Sequence, residues 1–102
     1  MPQFDVFENK RGNAYPLLVD VQADVLASLA TRVVVPLMTS KRYGSKLITR
    51  LNPIAVIEGV EYVLVFQELA AIPAASLTEP IASLAHRRAE LIAAVDLIFT
   101  GI

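Results

Sequence analysis

Ile54-Ala55-Val56-Ile57-Glu58-Gly59-Val60-Glu61-Tyr62-Val63-Leu64-Val65-Phe66-Gln67 is the stretch that decides the fold class. Two runs rich in β-branched and aromatic residues, Ile54 to Ile57 and Val60 to Gln67, flank Glu58-Gly59. A two-residue break with glycine to supply a positive φ marks a tight β-hairpin. The same style runs back toward the N-terminus. Arg32 to Met38 is another β-branched run, ended by polar Thr39-Ser40-Lys41-Arg42. Pro36 removes one ladder donor from it, which predicts an edge or a bulge at that point. Tyr15 to Gln22, with Asp20 between Val19 and Val21, and Gln3 to Glu8, with Asp5 among apolar neighbours, alternate as strands do. Between them Asn9-Lys10-Arg11-Gly12-Asn13 is a polar loop carrying the Gly and Asn that turns require.

The last third changes period. From Ile81 onward apolar residues fall at Leu84, Leu91, Val95 and Ile98, with Ala85, Ile92 and Phe99 alongside. Steps of three, four and seven make one helical stripe. Thr78-Glu79-Pro80 suits a helix start, since Pro fits the first turn and an acid there complements the helix dipole. Two readings stay open: one helix from Pro80 to Thr100, or a break near His86. Gly101 ends the helix in either case. Short antiparallel strands followed by one helix describe an α+β, mostly β domain with a small barrel or curled sheet, occupying residues 1–102 as one unit.

The chain has 102 residues and no Cys, so one modest core without disulfides or thiolate ligands must suffice. Its apolar fraction is 55%, high for a soluble domain. No run approaches the ~20 apolar residues that a membrane span needs. Asp5, Glu8, Lys10 and Arg11 break any N-terminal signal, so the chain reads as soluble and cytoplasmic. The apolar surplus points to a self-association surface, because obligate homodimer interfaces resemble a core cut in half. Net charge is −1, which gives no global case for nucleic acid. The distribution is uneven, however. From Val25 to Ile57 there is no Asp or Glu, while Arg32, Lys41, Arg42, Lys46 and Arg50 are basic. That stretch is either a solvated face or a landing strip for an acidic partner.

Local motifs give no support to catalysis. His86 is the one histidine, and its neighbours Arg87 and Arg88 disfavour a further cation. There is no phosphate loop, HExxH or CxxC. We expect no catalytic residues, no metal and no cofactor. The end of the chain is the unusual feature: Ile98-Phe99-Thr100-Gly101-Ile102 is apolar almost to the last residue. Either the helix end docks into its own sheet, or it forms an exposed apolar tip, which two-fold symmetry would double.

Taken in order, Gln3-Phe4, Leu18-Val19-Asp20-Val21-Gln22, Asp24, Arg32-Val33-Val34-Val35-Pro36-Leu37, Pro53, Ala71-Ile72-Pro73, Leu84-x-His86-Arg87 and Phe99-x-Gly101-Ile102 resemble the CcdB family of toxins. The resemblance covers nearly the whole chain. It implies an SH3-like barrel or twisted antiparallel sheet, one C-terminal α-helix and a two-fold homodimer. It also implies a toxin that wedges between DNA gyrase A subunits and traps the cleaved complex. A cognate antitoxin with a disordered acidic C-terminal segment neutralises such toxins, and the pair represses its own operator. Plasmid maintenance is the associated role, and a membrane partner is not implied. Carried onto this sequence, the gyrase contact is Phe99, Thr100, Gly101 and Ile102, with Gln3, Phe4, Ala23, Val25 and Leu26. The antitoxin contact is Asn9, Lys10, Arg11, Gly12 and Asn13, with Lys41, Arg42 and Lys46.

Three positions depart from the family pattern. Thr100 stands where the family has Trp, Ala23 where it has Ser, and Asp96 where it has Asn. Loss of a central aromatic anchor costs on the order of 2–4 kcal/mol, or roughly 30- to 1,000-fold in affinity. A second reading is therefore a homologue that has lost gyrase poisoning but still binds antitoxin and co-represses its operon. A third, from another class, is a MazF-like RNA-cleaving toxin of the same barrel fold, with Arg32 to Arg50 holding the RNA.

Overall fold

The computed structural model describes residues 2–11 and 14–102. Its strands are β1 (Asp5–Glu8), β2 (Leu17–Asp20), β3 (Thr31–Thr39), β4 (Ile54–Ile57), β5 (Val60–Leu64), β6 (Ala70–Pro73) and β7 (Pro80–Ser83). The helices are the single turn α1 (Ser40–Tyr43) and the C-terminal α2 (Arg88–Thr100). The expected hairpin is β4–β5, closed by the pair Ile57 and Val60. Glu58 and Gly59 have φ of 51° and 81°. Positive φ at both turn residues suits the twist of the flanking strands.

The strands form one curled antiparallel sheet in the order β4-β5-β3-β2-β1-β7, with β6 also paired to β3. This is the expected mostly-β architecture with a C-terminal helix. β3 is its axis. On one side it meets β2 through Val34 to Leu37; on the other it meets β6 through Thr31 to Val34 and then β5 through Leu37 to Thr39. Pro36 falls in the gap between those two partners. Its carbonyl accepts from Val65 N–H at 2.9 Å on that side, where its own nitrogen has nothing to donate. The expectation of an edge or bulge is thus corrected: β3 is interior, and the proline sits where the neighbour changes.

Both faces of the central strands are covered, which is why Leu17, Leu18 and Val19 are buried in succession. One face carries the main core, where Phe4, Val6, Val19, Val35 and Phe66 pack with Leu91 and Ala94 of α2. The other carries a small cluster of Phe7, Leu18, Val34 and Leu77, with Ile72 against it. Each such side chain contributes about 1.5–3 kcal/mol when fully buried.

The reading of one helix from Pro80 does not hold. Pro80–Ser83 is a strand paired with β1, a 3-10 turn spans Ala85–Arg87, and α2 starts at Arg88. The break therefore falls at His86. Pro80 is the first residue of this edge strand and lies beside the register shift between Val6 and Phe7, positions at which a strand tolerates a proline. Gly101 ends α2 as expected, in the left-handed conformation, with its N–H on the Leu97 carbonyl at 3.0 Å.

Candidate functional site: the two ends of the C-terminal helix and the basic end of the sheet

α2 buries only Leu91 and Ala94 fully, leaving Ile92, Val95, Leu97 and Ile98 half-buried. Beyond them Phe99 is 68% and Ile102 is 82% exposed. The Thr100 hydroxyl donates to the Asp96 carbonyl at 2.6 Å, so it folds back on its own helix. Of the two readings of the chain end, the exposed apolar tip is the one found.

The other expected gyrase-contact residues gather at the start of α2. Gln3 donates from Nε2 to the Val21 carbonyl at 3.0 Å and from its backbone N–H to Asp24 at 2.7 Å. Its Oε1 accepts from Arg88 at 2.6 Å. The Arg88 guanidinium also lies 5.8 Å from the Phe4 ring centroid. Phe4 has φ 73° and is 1% exposed. A bulky residue in that region is strained, and here the strain turns the ring into the core. Phe4 offers no surface of its own; it supports Arg88. From Arg88 to Thr100 is about 18 Å along the helix, so this group and the tip lie at opposite ends of α2.

Ala23, Val25 and Leu26 lie on an exposed loop with a 3-10 turn at Asp24–Leu26, where Val25 is 87% exposed. Gln22 holds this loop. It donates from Nε2 to the Leu26 carbonyl at 3.1 Å, and its Oε1 accepts from Val33 N–H at 3.1 Å. Its own N–H donates to Asp20 at 3.0 Å. The other Asp20 oxygen accepts from Arg32 Nε at 2.9 Å and pairs with its Nη2 at 2.7 Å, and both side chains are buried. Sequence reading missed this support. Arg32 therefore does not belong to the basic strip expected from the sequence: the charge on the surface of that strip comes from Lys41, Arg42, Lys46 and Arg50, all exposed. An RNA-holding role loses Arg32 for the same reason. The available signal was an acid between Val19 and Val21 with one arginine opening the next strand.

Of the expected antitoxin residues, Asn9, Lys10 and Arg11 follow β1, and Lys41 and Arg42 follow β3, at the same end of the sheet. Glu8 of β1 is opposite Leu17, which is opposite Leu37 of β3. The chain thus leaves β1 at Asn9 and β3 at Ser40 only two strand spacings apart, about 10 Å. Asn9 donates from Nδ2 to the Tyr15 carbonyl at 2.8 Å and accepts from Arg11 N–H at 3.2 Å. Gly12 and Asn13 lie outside the described residues. Beside this loop is a cavity of about 430 Å³ with an apolar floor of Leu18, Val34, Pro36 and Ile72. Lys10 and Arg11 stand at its rim with Glu8 and Glu68. Lys41 and Arg42 ride on α1, which packs against β3 and β5 and is capped by Thr39 accepting from Arg42 N–H at 3.4 Å.

Among the described residues no group of three His, Asp or Glu side chains is placed to hold a metal, and no helix is long and apolar enough to cross a membrane. His86 is exposed on its 3-10 turn. Comparison with protein families gives a match over nearly the whole chain: the profile of the CcdB protein family covers residues 3–101. The chain therefore belongs to the CcdB family, whose members are toxins of toxin–antitoxin pairs that act on DNA gyrase.

Proposed function

We propose that this chain is the toxin of a type II toxin–antitoxin system and poisons DNA gyrase by gripping its A subunit with two copies of the α2 tip. The observation that carries the reading is the exposure of Phe99 and Ile102 on either side of Thr100 and Gly101. The half-buried apolar side chains of α2 are suited to contact with a second copy, and a homodimer with its tips near the axis doubles the patch. Ala23, Val25 and Leu26 extend the contact, Gln3 borders it, and Phe4 acts from beneath. The toxin does no chemistry of its own; binding is sufficient to trap a cleaved complex, and no cofactor is needed. The antitoxin lays its acidic C-terminal segment over Asn9 to Asn13 and over Lys41, Arg42 and Lys46. An apolar side chain of that segment fits the adjoining cavity. Toxin and antitoxin together bind operator DNA.

Tightly controlled expression is expected to arrest growth and to accumulate gyrase-cleaved DNA. An Ile102→Asp variant with unchanged thermal unfolding is expected to do neither. Full arrest by that variant would overturn the tip as the gyrase contact. A second reading has its own observation: the back-bonded Thr100 offers no aromatic face where the family places one. On that reading the chain binds antitoxin and co-represses its operon without poisoning gyrase. Co-purification with antitoxin, without gyrase binding, selects it.

A further inference from the structure

β4 is the outermost strand on its side of the sheet, and among the described residues no strand pairs with its outer edge. A two-residue turn makes Ile57 and Val60 a hydrogen-bonded pair, and bonded pairs recur at every second residue. Ala55 therefore also bonds inward to β5. The Leu64 N–H donating to the Pro53 carbonyl at 2.9 Å continues the same phase. The backbone N–H and C=O groups of Ile54 and Val56 consequently point off the sheet. Side-chain alternation coincides with this: Ala55 and Ile57 are buried, whereas Ile54 and Val56 are exposed, Val56 by 66%. The same two residues thus offer unmade ladder bonds and apolar side chains together.

Natural proteins blunt such edges with Lys, Pro or inward charge, and β4 itself, Ile-Ala-Val-Ile, carries none of these. Charge lies around it instead. Lys46 and Arg50 precede β4, and Lys41 and Arg42 sit on α1, which packs against the neighbouring β5. Glu58 and Glu61 are the acids of the hairpin. A second copy on this edge would bring its own four cations along with its two carboxylates and enlarge the excess of positive charge, which an acidic partner would satisfy.

We infer that β4 is the docking edge for an extended acidic segment of the antitoxin, which adds as a further strand beside Ile54–Ile57. Its apolar residues lie on the Ile54 and Val56 face, and its carboxylates lie toward Lys46 and Arg50. This rests on the antitoxin reading above and adds to it the place and mode of binding. Main-chain bonds supply affinity in such strand addition, and alternate side chains supply specificity.

The test is amide hydrogen exchange on isotope-labelled toxin, alone and saturated with a synthetic peptide of the acidic C-terminal segment encoded by the neighbouring antitoxin gene. The Ile54 and Val56 amides are expected to slow on the order of 100-fold in the complex, while Ala55 and Ile57 are protected in both states. Peptide binding by calorimetry without slowing at Val56 overturns strand addition and leaves the antitoxin reading standing. No binding at all overturns both. Slowing in the toxin alone that grows with its concentration assigns the edge to a second copy, and overturns the inference. Val56→Pro deletes the outward N–H without removing a bond to β5, and is expected to weaken the peptide at least about tenfold. Unchanged affinity, with Ala55 and Ile57 still protected, would also count as refutation.

Discussion

The two ends of α2 are built in opposite ways. At its start, Arg88 binds Gln3 across 85 residues of chain, and Gln3 in turn binds Asp24 and Val21. Behind them the buried Asp20–Arg32 pair and Gln22 hold the loop that displays Val25. At its end, the hydrogen bonds are local: Thr100 to Asp96 and Gly101 to Leu97. A surface held by distant contacts shares its fate with the fold, whereas one held by its own helix turn can change partner affinity alone. Substitutions at the start should therefore move stability and surface together. Those at the tip should move binding only.

The largest expected effect tests the first half of that contrast. Arg32→Met leaves the Asp20 carboxylate buried without its guanidinium. Breaking a buried pair by removing one partner costs about 3–5 kcal/mol. Urea unfolding is expected to show that loss, and the double variant Arg32→Met with Asp20→Leu should recover much of it, because it strands no charge. A loss under ~1 kcal/mol in the single variant would mean that the loop does not depend on the pair, and the contrast between the two ends would fail.

Next in size is the tip. Thr100→Trp places a ring where the hydroxyl now folds back on Asp96. It is expected to tighten gyrase A-subunit binding roughly 30- to 1,000-fold, as a regained aromatic anchor does. Stability should stay within ~0.5 kcal/mol, since the position is exposed. A gain in stability without a gain in binding would mean that the ring packs on its own subunit. That outcome would reverse the contrast.

The same division between local and distant forces explains what was legible in the residue string. The β4–β5 hairpin was readable because Glu58-Gly59 carries its turn chemistry in two adjacent residues. The α2 end was readable because Gly101 is a left-handed cap next to an apolar stripe. The start of α2 was not. Ile81 and Leu84 are spaced as in a helix, yet Ile81 lies in a strand whose reason for existing is β1, more than 70 residues away. Arg32 looked like surface charge because its partner Asp20 belongs to a different strand, and pairing across strands leaves no local trace. Pro36 announced a missing ladder bond but not that β3 would change neighbours there. Of the candidate site, the apolar tip was visible and the network carrying Val25 was hidden.

The smallest expected effect is one of pH, and it belongs to the start of α2 only. Asp5 follows Phe4, and its carboxyl is held above the ordinary carboxylate range, chiefly by burial, with Asp20 and Asp24 adding to the rise. A raised folded-state pKa means that the folded chain binds the proton more tightly than the unfolded chain does. The charged form is therefore a penalty on folding. That penalty is in full force above the folded pKa, fades as pH falls through it, and is absent below the unfolded value of about 3.9. Asp5→Asn removes the charge at every pH. The variant should consequently be more stable than the parent at pH 7, with the difference shrinking as pH falls toward 4. Thermal unfolding across that range measures it. If Asp5→Asn instead changes stability by the same amount at every pH, its effect is one of shape or hydrogen bonding, and charge burial does not distinguish the two ends of the helix.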